Sequence, residues 1–132
     1  HNIILGIYTQ ALAEILVLGE KGGVKREAIM EFINSSVMGC MFSQYKTPAL
    51  VNLDFNPTFT PVLLRKDFDL GLSESDKHEV PMPITNLVRD IVDSCIDRGY
   101  AEDDFSIMLL IAAANAGVTL TSESADVNDG LE

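Results

Sequence analysis

At 132 residues, 47% of them hydrophobic, the chain has the size and apolar content of one globular domain with its own core. Its net charge of −11 and pI near 4.4 argue against nucleic acid or an anionic membrane surface as a partner, since both need a basic face. Cys40 and Cys95 have no companions at metal-ligand spacing, so no metal is expected, and both read as reduced core thiols of a cytoplasmic protein.

The opening run "NIILGIYTQALAEILVLGEKGG" has apolar residues on nearly every side of a helix, which predicts a helix enclosed all round and central to the fold. Thr9, Gln10 and Glu14 interrupt it, which reads as a core helix and not a membrane span; Gly22 and Gly23 stop it. No secretory leader is visible. The next run, "VKREAIMEFINSS", predicts a short amphipathic helix with Ala28, Ile29, Phe32 and Ile33 inward. The stretch from Val37 to Phe59 is irregular, and a brief helix over Met41 to Tyr45 followed by turns at Pro48 and Pro57 is expected.

A helix from Thr60 to Lys77 carries two apolar sides, Phe59/Leu63/Leu70 and Leu64/Phe68/Leu72. "PMP" then starts the most regular helix, with Ile84, Leu87, Val88, Ile91, Val92 and Cys95 at spacings of three and four, ended by Gly99. Asp103 or Asp104 caps "FSIMLLIAAANAG", which stops at Gly117. From Thr121 onward a loose polar tail is expected, so residues 1–120 form the domain and 121–132 the tail. No strand alternation is visible. The fold class is therefore all-α, with about six helices around a buried first helix.

The chain begins without a methionine and ends in Leu131-Glu132, a common cloning junction, so both ends read as those of an excised piece. It holds no glycine-rich phosphate loop, Cys/His cluster or nucleophile motif. His78 reads as a solvated helix-end residue, and His1 as a boundary residue without a role. Two charges on apolar faces remain. Glu14 is expected to be neutralised by a structural ion pair or a helix-end contact. Lys66, flanked by Asp67 and Asp69, lies in the Phe59/Leu63/Leu70 stripe. It either snorkels to an aspartate or offers its ammonium to a ligand in a cleft.

The order Phe59, Lys66-Asp67-Phe68, Pro81-Met82-Pro83, Gly99-Tyr100 and Asp104-Phe105-Ser106 resembles the C-terminal domain of the β-hydroxyacid dehydrogenases. That family includes 3-hydroxyisobutyrate dehydrogenase and tartronate semialdehyde reductase, with 6-phosphogluconate dehydrogenase more distant. The opening "HN" and "AEILVLGEKGG" resemble the stretch after the family's catalytic Lys-x-x-x-Asn, and the likeness runs from Asn2 to Ala116. Asp69, Gly71 and Ser73 depart from the pattern, where a small residue, alanine and aspartate are usual.

The resemblance implies an upstream Rossmann domain that binds NAD or NADP, with this helical domain closing over the nicotinamide and supporting a homodimer or tetramer. Asn2 would help position the substrate, a small hydroxyacid or semialdehyde; Lys66 would contact the cofactor; Phe59 and Asp67 would line the cleft. The catalytic lysine would lie four residues before Asn2. A non-catalytic helical module for dimerisation or interaction is the alternative function. The piece alone is expected to be inactive.

Overall fold

The computed structural model describes residues 1–131; Glu132, half of the expected Leu-Glu junction, lies outside them. Six α-helices follow one another: α1 Asn2–Lys21, α2 Arg26–Ser35, α3 Met41–Asn52, α4 Pro61–Lys77, α5 Pro83–Asp97 and α6 Met108–Asn115. A 3-10 turn, Phe105–Ile107, leads into α6. The described residues hold no strand, and the all-helical class is the one the sequence predicts.

α1 is central, since it packs against α2, α4, α5 and α6. Its side chains divide two cores. Leu12, Ala13, Leu16 and Val17 join Met30, Leu50 and Leu109 on one side. Leu64, Phe68, Val88, Val92 and Phe105 form the other, with Ile3, Leu5 and Ile7 against it. α1 crosses α4 closely because Gly6 has no Cβ: one built there would lie 2.7 Å from the Phe68 ring.

The enclosure of α1 is nevertheless incomplete. Ile4, Ile15 and Leu18 are exposed, in a stripe that also carries Ala11 and Glu14. Four neighbouring helices do not close a full circle around it. Glu14 therefore needs no ion pair, and instead accepts a hydrogen bond from Gln10 Nε2 at 2.8 Å while facing solvent. Leu18, with Leu87 and Ile91 of α5, borders an apolar groove of about 540 Å³ between α1, α5 and α6.

α2 turns only part of its expected face inward: Ile29 and Ile33 pack against the first core, but Ala28 and Phe32 do not. Arg26 and Met30 are wholly buried, whereas Phe32 is 73% exposed and Ala28 is exposed. The cause is the guanidinium of Arg26. It donates to the carbonyls of Leu50 (2.9 Å), Val51 (2.8 Å) and Thr121 (2.6 Å), and pairs with Glu20 at 2.8 Å. It thus satisfies the free carbonyls at the end of α3, as helix C-termini require.

That support also explains why α3 runs on to Asn52 instead of stopping near Tyr45. Pro48 lies inside the helix and removes one backbone bond. Beyond it, Ala49, Leu50 and Val51 are all buried, and tertiary packing outweighs the local penalty.

Residues 121–131 form neither helix nor strand, yet they are held down and not loose. Both Glu123 carboxylate oxygens accept amide bonds from the start of α2, Arg26 N–H at 2.7 Å and Glu27 N–H at 2.9 Å. Ala125 exchanges two hydrogen bonds with the Asn52 side chain. Negative charge at a helix N-terminus is where it stabilises most.

Candidate functional site

Asn2 opens α1 and Asp67 lies in the second turn of α4, so the α1–α4 crossing at Gly6 and Phe68 brings them together. Asn2 Nδ2 donates to Asp67 Oδ2 at 2.6 Å. The other carboxylate oxygen lies 3.5 Å from Lys66 Nζ. Three of the four residues singled out in the sequence thus form one continuous polar cluster.

Lys66 is not packed in an apolar stripe. Its side chain is 62% exposed, and its stripe neighbours Leu63 and Leu70 are exposed too. α4 buries its other side, Leu64 and Phe68, because that side faces α1 and α5. Asp69 does not serve Lys66 either: it pairs with Arg89 at 2.9 Å and with Arg65 at 3.8 Å. The Lys66 ammonium is left with one distant carboxylate and open surroundings.

Phe59 reaches the cluster from the loop before α4. With Asn2, Leu5, Met41, Tyr45 and Phe105 it lines a mostly apolar pocket of about 420 Å³. Phe59 meets Phe105 edge to face, with ring centroids 6.1 Å apart. Asn2 and Thr58 are polar groups beside this aromatic wall.

Behind the wall lies a feature the sequence reading missed. Lys46 and Asp104 form a buried ion pair, side chains 3% and 2% exposed, with Nζ 2.7 Å from both carboxylate oxygens. The third ammonium proton goes to Thr58 Oγ1 at 2.8 Å. Asp104 also accepts from Thr58 N–H at 3.0 Å, Thr58 Oγ1 at 2.8 Å, Ser106 N–H at 3.0 Å and the Ser106 hydroxyl. Burial alone would raise the Asp104 carboxyl pKa, but the bonds from Lys46 and Ser106 outweigh it and hold it below the usual carboxylate range. Burial lowers the Lys46 pKa, and Asp104 only partly restores it.

The signal that could have found this pair was present. Asp104 was legible as a cap and as part of Asp104-Phe105-Ser106, but a lysine within "QYKTP" carries no local mark of burial.

Of the two cysteines, Cys95 is buried in the second core, and desolvation pushes its thiol up to about 12. Cys40 is exposed at the start of α3, contrary to the core position expected for it, because it is the residue before the helix, its backbone held by the Ser43 hydroxyl. His78 is exposed at the end of α4. No cluster of three or more metal-ligating side chains occurs among the described residues.

A sequence profile described as "NAD-binding of NADP-dependent 3-hydroxyisobutyrate dehydrogenase" matches residues 1–112. The chain is 30% identical to 2-(hydroxymethyl)glutarate dehydrogenase from Eubacterium barkeri, over 92% of its own length and 40% of the relative's. It is 27% identical to the mitochondrial 3-hydroxyisobutyrate dehydrogenase of Drosophila melanogaster, covering 82% of this chain and 36% of that protein. The crystal structure of 3-hydroxyisobutyrate dehydrogenase from Salmonella typhimurium shares the fold, with a TM-score of 0.76 at 20% identity. That match covers 84% of this chain and 39% of the other. The chain therefore spans 36–40% of the length of these relatives. With the profile running through all six helices as far as Ala112, the chain belongs to the NAD-binding family of 3-hydroxyisobutyrate dehydrogenase.

Proposed function

We propose that this chain is the C-terminal helical part of an NAD(P)-dependent dehydrogenase or reductase that acts on a small β-hydroxyacid or its semialdehyde. The observation that carries the reading is the Asn2–Asp67–Lys66 cluster at the edge of an aromatic pocket. Asn2 has an amide suited to a substrate hydroxyl or carboxylate, and Asp67 fixes its orientation by a charge-assisted bond. Phe59 and Phe105 give the same pocket an apolar wall, against which polar contacts strengthen once a ligand displaces water.

The residues present suit a dinucleotide. Lys66 is exposed and lightly paired, so its ammonium is available to a ligand's hydroxyl or phosphate oxygens; a lysine committed to a buried pair would not be. When bound, the nicotinamide supplies the hydride donor or acceptor. Proton transfer falls to a lysine upstream of Asn2, as the family resemblance implies, and an upstream Rossmann domain would hold the rest of the coenzyme. A reducing compartment such as the cytoplasm suits an exposed Cys40 and a core Cys95.

Incubating the full-length parent protein with NAD or NADP and a panel of small β-hydroxyacids should produce the reduced coenzyme, read at its absorbance maximum. Absence of turnover across the panel and both coenzymes, in either direction, would overturn the assignment.

The second reading is a non-catalytic dimerisation or interaction module, and the exposed apolar stripes of α1 and α5 favour it. Ile4, Ile15 and Leu18 on one and Ile84 and Leu87 on the other offer an association surface. The two readings share that surface, so a homodimer is compatible with both. A protein that self-associates but never turns over coenzyme would be the module.

A further inference from the structure

Lys46 and Asp104 have no place in the proposed chemistry, yet every proton of the ammonium and both carboxylate oxygens are engaged. The ammonium uses three protons on three acceptors, and the carboxylate receives Lys46, Thr58 and Ser106 together. Fully buried ion pairs are seldom a net gain in stability over apolar residues of the same size, so stability alone does not account for one here.

What the pair touches is more informative. Its ammonium sits 4.7 Å from the Phe105 ring centroid and 5.0 Å from that of Tyr45, both of which line the candidate pocket. Its carboxylate holds the backbone and hydroxyl of Thr58, the residue before Phe59. Two backbone bonds extend the fastening: Asp104 N–H donates to Phe55 O and Phe105 N–H donates to Phe59 O, each at 2.9 Å. The loop between α3 and α4 would otherwise be free to swing, since residues 53–60 make no helix or strand.

We infer that Lys46 and Asp104 are positioning residues, which fix the Thr58–Phe59 loop and the Tyr45 and Phe105 rings as one rigid wall of the substrate pocket. The inference rests on the reading of that pocket as the substrate site. Neither residue touches the ligand in this account; each acts through Thr58, Phe59, Tyr45 and Phe105.

The deciding variant is Lys46→Met/Asp104→Asn in the full-length protein. It removes both charges together, and asparagine keeps the cap on Ser106, so it disturbs folding less than a single replacement that strands one buried charge. It withdraws the acceptor from Thr58 N–H and the ammonium from both rings. Well below the melting temperature, kcat/KM for the acid substrate should fall by about ten- to a hundredfold, while the coenzyme KM stays within about twofold. Hydrogen exchange in peptides over 54–60 and 102–107 should quicken by about tenfold. Lys46→Arg, which retains a cation and its donors, should recover part of the lost kcat/KM.

A double variant that keeps wild-type kcat/KM overturns the inference, whether or not the loop loosens, because the pair is then merely structural. Equal losses in substrate and coenzyme terms overturn it too. A wild-type protein without turnover would sink the proposed reaction instead. The wall is then judged by exchange alone: faster exchange in the two peptides supports it, and unchanged exchange overturns it.

Discussion

Two lysines in this chain stand beside aspartates, and their surroundings differ in every respect that matters. Lys46 is sealed between α3 and the 3-10 turn, with each proton assigned and two aromatic rings against it. Lys66 lies on the open side of α4, its side chain 62% exposed and its aspartate 3.5 Å away. Near a surface, solvent screens such a pair to almost nothing; in the interior, the same pair cannot be broken cheaply. Charge that is already satisfied holds structure in place. Charge left half satisfied on an open helix face remains available to a ligand.

The largest expected effect comes from breaking the interior pair on one side only. Lys46→Met should cost roughly 3–5 kcal/mol of stability, since it strands the Asp104 carboxylate in the core. Lys66→Met should change stability by no more than about 0.5 kcal/mol. Chemical denaturation of the two variants side by side measures the difference, and equal losses would break the contrast.

Next in size is Gly6→Ala, which tests the crossing that sets Asn2 against Asp67. The new methyl would lie 2.7 Å from Phe68 Cε2, against a ring with no exposed surface, and should cost about 1–3 kcal/mol. A neutral or stabilising result in thermal melts would show that α1 and α4 can part easily.

A smaller effect should appear in acid. The Asp104 carboxyl is held below the ordinary carboxylate range in the folded chain, so on acidification the unfolded chain takes up its proton first. The contribution is complete above the unfolded value and is lost as pH falls through the folded one. Lys46→Met/Asp104→Asn should lose stability less steeply than wild type below about pH 4. Parallel acid titrations of unfolding free energy would contradict the buried pair's role.

Smallest, and simplest to read, is thiol labelling. Cys40 should react with a maleimide in the native state, whereas Cys95, with its thiol raised to about 12 by desolvation, should react only on unfolding. Native labelling of both would mean that the core between α4 and α5 opens readily.

The sequence was most informative where one principle acted alone. α5 and the last helix follow their periodicity and caps in large part: Val88, Val92 and Cys95 are buried, though Ile84 and Leu87 stay exposed, and Asp104 starts the turn into α6. Reading failed where a distant group changed the local balance. Arg26 looks like a polar break in α2, yet it fills the buried line with Met30 and leaves Phe32 outside. Pro48 looks like a stop, yet α3 continues because Arg26 binds its last carbonyls and because Leu50 and Val51 pack. Asn2, Lys66 and Asp67, singled out through the family resemblance, lie in one polar cluster. Lys46 was not singled out, because burial of a lysine is decided by its partner 58 residues away, and periodicity does not report that.

Coenzyme affinity of Lys66→Ala in the full-length protein tests the central claim most directly. Loss of a charge-assisted hydrogen bond is worth about 1.5–3 kcal/mol, which corresponds to a coenzyme KM or Kd raised by roughly ten- to a hundredfold. That rise should come with an unchanged melting temperature. A variant that binds NAD(P) as tightly as wild type, or that melts well below it with normal kinetics, would make Lys66 a surface ion-pair residue and remove the coenzyme from this face of α4.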